Sequence, residues 1–233
     1  MKKLIQSTTA LALVLTMAAC TTTGLTSTTA SKPQATEVRA TNPVPTTAPK
    51  KSKALYMTLI ASLAADGKHR AALAYLDDFD TRWPNDPNAI SIRADQHLAL
   101  RELRTAALEY QKLRRFDANA KADAGLGRVA GALGKWDRAV TYLSRAVRQH
   151  PANASYLNNL GYAHLKKSQP NRARKLLERA YEIEPENQQV RNNLMVAMAL
   201  TGDQATVLKV LNEMEPADRT KMVKLIRSFS QNG

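Results

Sequence analysis

The chain has 233 residues and a formal net charge of +14, and it combines 44% apolar residues with only 5% aromatic residues and nine glycines. This composition leaves little room for a β-sheet and favours an all-helical protein. Catalysis has no support, because the four histidines are scattered and have no partner at the spacing of metal ligands. No cofactor or metal site is therefore predicted, and the chain is not expected to be an enzyme.

A secretory signal is the first element of the chain. Lys2 and Lys3 precede an apolar run over 10–15, and small residues then lead to Cys20. The run is too short to span a bilayer comfortably, and polar sequence follows it. Residues 1–19 are therefore predicted to be a signal peptide.

The only cysteine of the chain lies at the end of this signal. Residues 17–20, Met-Ala-Ala-Cys, resemble the lipobox of bacterial lipoproteins, although leucine is more usual at the position of Met17. The resemblance implies that Cys20 becomes the lipidated amino terminus. Two or three acyl chains anchor a protein essentially permanently, since each buried methylene contributes about 0.8 kcal/mol. Thr21, in place of the aspartate that favours inner-membrane retention, implies anchoring at the periplasmic face of the outer membrane. The alternative is an ordinary signal peptide with an incidental cysteine.

Residues 20–52 are rich in threonine, serine and proline and have no apolar periodicity. Such a segment cannot build a core, so we expect a disordered tether behind the lipidated cysteine. A flexible segment of about 30 residues has an end-to-end distance on the order of 30 Å. The folded part is thus expected to act at some distance from the membrane.

A repeating pattern of small and apolar residues follows the tether. It is clearest between Pro151 and Pro185, and the same register recurs 34 residues earlier. Small residues at Gly161, Ala173 and Ala180 would let two antiparallel helices cross closely. Large apolar residues fill the places between them, including Leu157, Leu160, Leu165 and Leu177. This arrangement resembles a tetratricopeptide repeat (TPR).

The TPR resemblance implies an all-α superhelical solenoid of about four to five helix-turn-helix units over 53–233. The units are predicted at about 53–86, 87–119, 120–153, 154–187 and 188–216, with a capping helix over 217–233. Two units depart from the pattern. Arg101 and Glu102 replace the usual turn glycine of the second unit, and Met195 replaces the small residue of the fifth. Such decay towards the ends is usual in stacked repeats.

TPR arrays bind ligands mainly on the face formed by the first helix of each unit. Two asparagine pairs, at 158–159 and 192–193, recur there 34 residues apart. A carboxamide both donates and accepts hydrogen bonds, so it can pair with the main chain of an extended peptide. Asn159 and Asn193 lead the predicted protein-binding set, which comprises Asn158, Asn159, Tyr162, Lys166, Asn192, Asn193 and Arg128. Replacing both leading asparagines by alanine is expected to weaken binding and leave stability nearly unchanged. The alternative is that the asparagines only solvate the groove or bond within it.

Basic residues are concentrated in 101–150, which contains eleven of them and only five acidic residues. In a cytosolic chain this excess would suggest nucleic acid. Export argues against nucleic acid and favours an acidic protein surface, with an anionic envelope polymer as a second possibility. The alternative is a generic soluble helical surface.

The lipobox, the tether and the TPR units together resemble, in layout, the TadD-like TPR lipoproteins of the tight-adherence (Flp) pilus assembly system. This resemblance implies a pilotin-like assembly factor that binds an outer-membrane secretin subunit through its helical groove. A pilotin of type IV pili is a second assignment with the same architecture. A scaffold lipoprotein that recruits peptidoglycan enzymes is a third.

Overall fold

The computed structural model describes residues 50–231, with side chains from Lys53 onward. Eleven α-helices and one 3-10 turn make up this part of the chain, and no β-strand occurs within it. The predicted all-α class is confirmed. The predicted signal peptide, Cys20 and most of the predicted tether lie outside the described residues.

Ten of the helices form five consecutive pairs. The first helices of the pairs are α1 (Lys50–Ala65), α3 (Pro87–Ala99), α5 (Asn119–Ala132), α7 (Ala154–Lys166) and α9 (Gln188–Leu200). The second helices are α2 (His69–Arg82), α4 (Leu103–Lys112), α6 (Trp136–Gln149), α8 (Pro170–Ile183) and α10 (Gln204–Glu213). A 3-10 turn, Leu113–Phe116, follows α4, and α11 (Pro216–Ser230) follows the last pair. Helix α1 begins within the predicted tether, and α5 and α11 each begin one residue before a predicted unit boundary.

The close approach of two paired helices depends on a residue without a side chain. Gly127 in α5 faces Leu143 in α6, and a Cβ atom at Gly127 would lie 2.6 Å from Leu143 Cγ. Gly161 in α7 faces Leu177 in α8 at the same 2.6 Å. A side chain at either glycine would force the helices apart or displace the leucine. The small positions recognised in the sequence are therefore where the helices cross.

The fifth pair departs from this packing. Met195 in α9 takes the place of Gly161 and packs in a buried cluster with Leu211 of α10 and Met222 of α11. A cavity of about 610 Å³ lies beside this cluster, and its lining includes Met195, Met214, Met222 and Leu225. Because α11 contributes Met222 to the buried cluster, it closes the end of the array, as the sequence predicts.

Each helix pair turns through one residue with a left-handed backbone. Three of these residues are Gly67, Gly134 and Gly202, with φ of 72°, 72° and 86°. Arg101 and Ser168 adopt the same conformation, with φ of 64° and 54°. The next residue then donates its N–H to a carbonyl five positions back, as Gln169 does to His164 at 2.9 Å. The second unit thus keeps the turn although it lacks the glycine.

Replacing Ser168 by glycine is expected to stabilise the array. A residue with a Cβ atom is strained in the left-handed region, and glycine is not, so the free energy of unfolding should rise by about 0.5–1.5 kcal/mol. Urea denaturation followed by circular dichroism measures the change. Gly134→Ala, which introduces the same strain at the turn of the preceding unit, should lower the free energy of unfolding. Unchanged midpoints in both variants would contradict the turn geometry.

Candidate peptide-binding groove

Three adjoining concavities run along the first helices of the pairs, and together they form what we call the groove. The concavities have volumes of about 530, 270 and 490 Å³ from α1 towards α7. The first and second share Ser91, Asp95 and Lys121. The second and third share Arg128 and Asn159. The groove is therefore continuous from α1 to α7.

The structure brings some of the predicted contact residues to this groove. Four of them line it, namely Arg128, Asn159, Tyr162 and Lys166. Asn159 is half-buried where the second and third concavities meet. Asn192 instead lines the cavity beside Met195, and its Oδ1 accepts a hydrogen bond from Gln188 Nε2 at 2.6 Å. Asn192 is thus separated from the other predicted contacts.

Asn158 and Asn193 are not available to a ligand, which corrects the expectation from the sequence. Their exposed fractions are 3% and 6%. Asn193 Nδ2 donates a hydrogen bond to Asn158 Oδ1 at 2.9 Å, and this bond joins α7 to α9. Adjacent first helices pack side by side, so each asparagine pair turns one member towards the neighbouring helix. Asn193 is therefore a structural residue.

Arg128 is held in place by a carboxylate and a phenol. Its Nη1 lies 2.5 Å from Asp95 Oδ1, and the Tyr110 hydroxyl donates to the same oxygen at 2.5 Å. Burial and the Asp95 charge raise the pKa of Tyr110, so the hydroxyl stays protonated and can donate. Burial acts to lower the pKa of Arg128, but the charge of Asp95 and its hydrogen bond to the guanidinium raise it, and the net shift is upward. The guanidinium and the carboxylate therefore compensate each other's charge.

The groove carries an excess of positive charge. Besides Arg128 and Asp95, which pair with each other, its lining includes Arg101, Lys121 and Lys166. Within residues 53–231 none of these three cations has an acidic partner at ion-pair distance. Arg101 donates only to the Ala132 carbonyl oxygen, at 3.2 Å. The groove thus presents three uncompensated cations to a ligand.

Aromatic side chains gather at the α7 end of the groove. The ring of Tyr162 meets Trp136 at 5.9 Å and Phe229 at 5.8 Å between centroids, both edge to face. Lys166 Nζ lies 5.8 Å from the centroid of Trp136 and 5.0 Å from that of Phe229. Burial raises the pKa of Tyr162, which therefore remains a neutral phenol. We call Trp136, Tyr162 and Lys166 the aromatic corner.

Comparison with known proteins decides the type of repeat. Residues 124–194 match the family model for the tetratricopeptide repeat. The fold is a tetratricopeptide-repeat solenoid. TPR solenoids are protein-interaction scaffolds and are typically not enzymes. The chain is 28% identical over 163 residues to the TPR repeat-containing protein PA4299 of Pseudomonas aeruginosa. That alignment covers 69% of this chain and 64% of the relative, which is less than two thirds of the relative's length.

Two solved structures share the TPR architecture. TTC0263, a thermophilic TPR protein of Thermus thermophilus, has a TM-score of 0.63 at 19% identity, covering 77% of this chain and 99% of that chain. Pseudomonas aeruginosa pilF has a TM-score of 0.61 at 15% identity, covering 78% of this chain and 86% of that chain. At these identities the likeness establishes the fold.

Three charged groove residues were absent from the contacts predicted by sequence. Asp95 precedes Arg128 by 33 residues, and Arg128 precedes Tyr162 by 34, so the repeat register alone points to Asp95. Arg101 stood out in the sequence as a missing turn glycine, and both Arg101 and Lys121 belonged to the many basic residues of 101–150. No helix in the described part is long and apolar enough to cross a membrane. Nor does this part contain a group of histidine, cysteine or acidic residues placed to hold a metal ion.

Replacing Asn193 by alanine is expected to destabilise the TPR array. Asn158 would be left buried without its hydrogen-bond partner, which costs about 1–3 kcal/mol of the free energy of unfolding. Asn159→Ala is the matched control and should change that free energy by less than about 0.5 kcal/mol, because its side chain lines an open concavity. Urea denaturation of both variants measures the difference. Equal effects would contradict the distinct roles of the two asparagines.

Proposed function

We propose that this protein is a lipid-anchored lipoprotein of the outer membrane that acts as a pilotin-like assembly factor. Its groove holds an extended acidic segment of a partner protein, and the partner is a secretin subunit of a pilus machine. The observation that carries the proposal is the continuous groove with its three uncompensated cations. The role is one of binding, without a catalytic step.

The chemistry of the groove suits an extended acidic segment. Arg101, Lys121 and Lys166 are distributed along it, so carboxylates at several points of a peptide can find a cation. Asn159 and Gln189 line the same surface and can exchange hydrogen bonds with a peptide main chain. Positive potential along a groove also accelerates association and disfavours basic competitors. Charge thus selects the class of partner, and the polar side chains hold its backbone.

The choice of a secretin is supported by the layout of the whole chain. The lipobox at Cys20, the long tether and the TPR array are the parts found together in TadD-like lipoproteins, whose implied role is to deliver or stabilise a secretin. In this proposal Cys20 supplies anchoring, the tether supplies reach, and the groove holds the secretin segment. A scaffold that recruits peptidoglycan enzymes would use the same groove for a different partner.

Neutralising Arg101 and Lys121, two of the three uncompensated cations of the groove, is expected to weaken partner binding. The test variant is Arg101→Gly/Lys121→Gln, in which glycine also suits the left-handed backbone at 101. The control is Arg104→Gln/Arg138→Gln, which removes two exposed charges from second helices. Exposed ion pairs contribute about 0.2–1 kcal/mol each, so the test variant should lose about two- to thirtyfold in affinity.

The measurement is affinity capture from detergent-solubilised envelopes, followed by mass spectrometry and titration of the captured secretin. Enrichment of a secretin by the wild type and the control, with loss in the test variant, is the expected result. Enrichment of peptidoglycan enzymes without a secretin would replace the pilotin assignment by the scaffold. Capture that is indifferent to the groove charges would reject the groove as the binding surface.

Replacing Cys20 by serine is expected to release the protein from membranes without unfolding it. Serine cannot receive the diacylglyceryl group through a thioether, and without acyl chains the TPR array has no stable membrane anchor. Fractionation of envelopes, with circular dichroism of the released protein, measures the effect. Persistent membrane association of the variant would point to an uncleaved signal that acts as the anchor.

A further inference from the structure

The C-terminal part of α11 makes further contacts besides those of Met222, which close the end of the array. Leu225, Ile226 and Phe229 of this helix pack against a buried cluster that includes Leu194 and Ala197 of α9. Phe229 also reaches Tyr162 and Lys166, which belong to α7. Helix α11 therefore crosses the first helix of unit five and brings an aromatic ring to the end of the groove.

Phe229 contacts both a cation and an aromatic ring of the aromatic corner. The ammonium of Lys166 lies 5.0 Å from the centroid of its ring, and the Tyr162 ring meets it edge to face at 5.8 Å between centroids. Cation–π and aromatic pairs of this kind are favourable by about 0.5–1.5 kcal/mol each. Phe229 is itself only partly buried. The corner thus accepts an aromatic ring.

We propose that the aromatic corner is a specificity site for one aromatic side chain of the acidic partner segment, and that Phe229 occupies this site in the free protein. The proposal rests on the proposed function, because it concerns the segment that lies in the groove. Lys166 connects the preference for an aromatic residue with the preference for an acidic one. Its ammonium faces aromatic rings and has no carboxylate partner within residues 53–231, so an aromatic residue next to an acidic one satisfies both.

Displacement of Phe229 requires only a small part of the structure to move. Met222 lies two turns earlier in α11 and is buried in the cluster with Met195, so the helix stays attached when its last turn opens. Helix ends open at low free energy, because few buried contacts hold them. While Phe229 occupies the corner, the apparent affinity for the partner is reduced by the fraction of molecules in which the corner is open.

The test uses two short acidic peptides that differ only in one Phe→Ala replacement. Trp83→Phe leaves Trp136 as the only tryptophan, so its fluorescence reports on the corner directly. The wild type in this background should prefer the peptide with phenylalanine. Phe229→Ala should bind that peptide about three- to tenfold more tightly, and the peptide without the ring nearly as before. Tyr162→Leu should abolish the preference between the two peptides.

Ile183→Ala is the matched control, since Ile183 is an exposed apolar residue in the last turn of α8. It should bind both peptides as the wild type does. Should Phe229→Ala lose helical content, a chain that ends at Ser228 serves as the second variant. Binding of both peptides with equal affinity, still dependent on Arg101 and Lys121, would overturn the specificity site and leave the acidic groove standing. Failure of the wild type to bind either peptide would overturn the groove itself.

Discussion

The structure depends on the close crossing of two helices at a residue without a side chain. At Gly127 and Gly161 the Cγ of the facing leucine lies only 2.6 Å from where a Cβ atom would be, so the two helices of a pair approach more closely than ordinary side chains permit. Each pair is therefore thin enough to stack directly on the next. Stacking lines up the first helices side by side, and this alignment produces a groove that continues across several units.

The same alignment explains why the sequence predicts the fold better than the site. Glycines, prolines and apolar spacing repeat in register, so helix boundaries and the all-α class follow from the pattern. The pattern does not predict which member of an asparagine pair faces the groove, because neighbouring residues on a helix differ in direction by about 100°. Asn158 and Asn193 face each other across two first helices, whereas Asn159 faces the groove. Repeat spacing alone does not specify which asparagine of each pair turns towards the neighbouring helix.

The sequence also does not show which of the basic residues a partner can reach. Residues 101–150 are strongly basic, yet part of that charge never reaches the groove. The buried carboxylate of Asp123 is 3% exposed and binds Arg114 at 2.5 Å and Arg145 at 3.2 Å. These pairs join the segment after α4 to α5 and α6 and serve the stack. The net charge of a segment therefore overstates what a partner can use, and only contacts in three dimensions separate structural from accessible cations.

Met195 makes the two ends of the array differ in stability. Stability in repeat proteins is approximately a sum over units and the interfaces between them, and a weak interface limits how far cooperativity extends. With methionine in place of the crossing glycine and a cavity beside it, the two helices of the fifth unit pack less closely than those of the other pairs. Amide hydrogens of α10 and α11 should therefore exchange with solvent sooner than those of α5 to α8. The carboxyl end would then open and close repeatedly while the middle of the array remains folded.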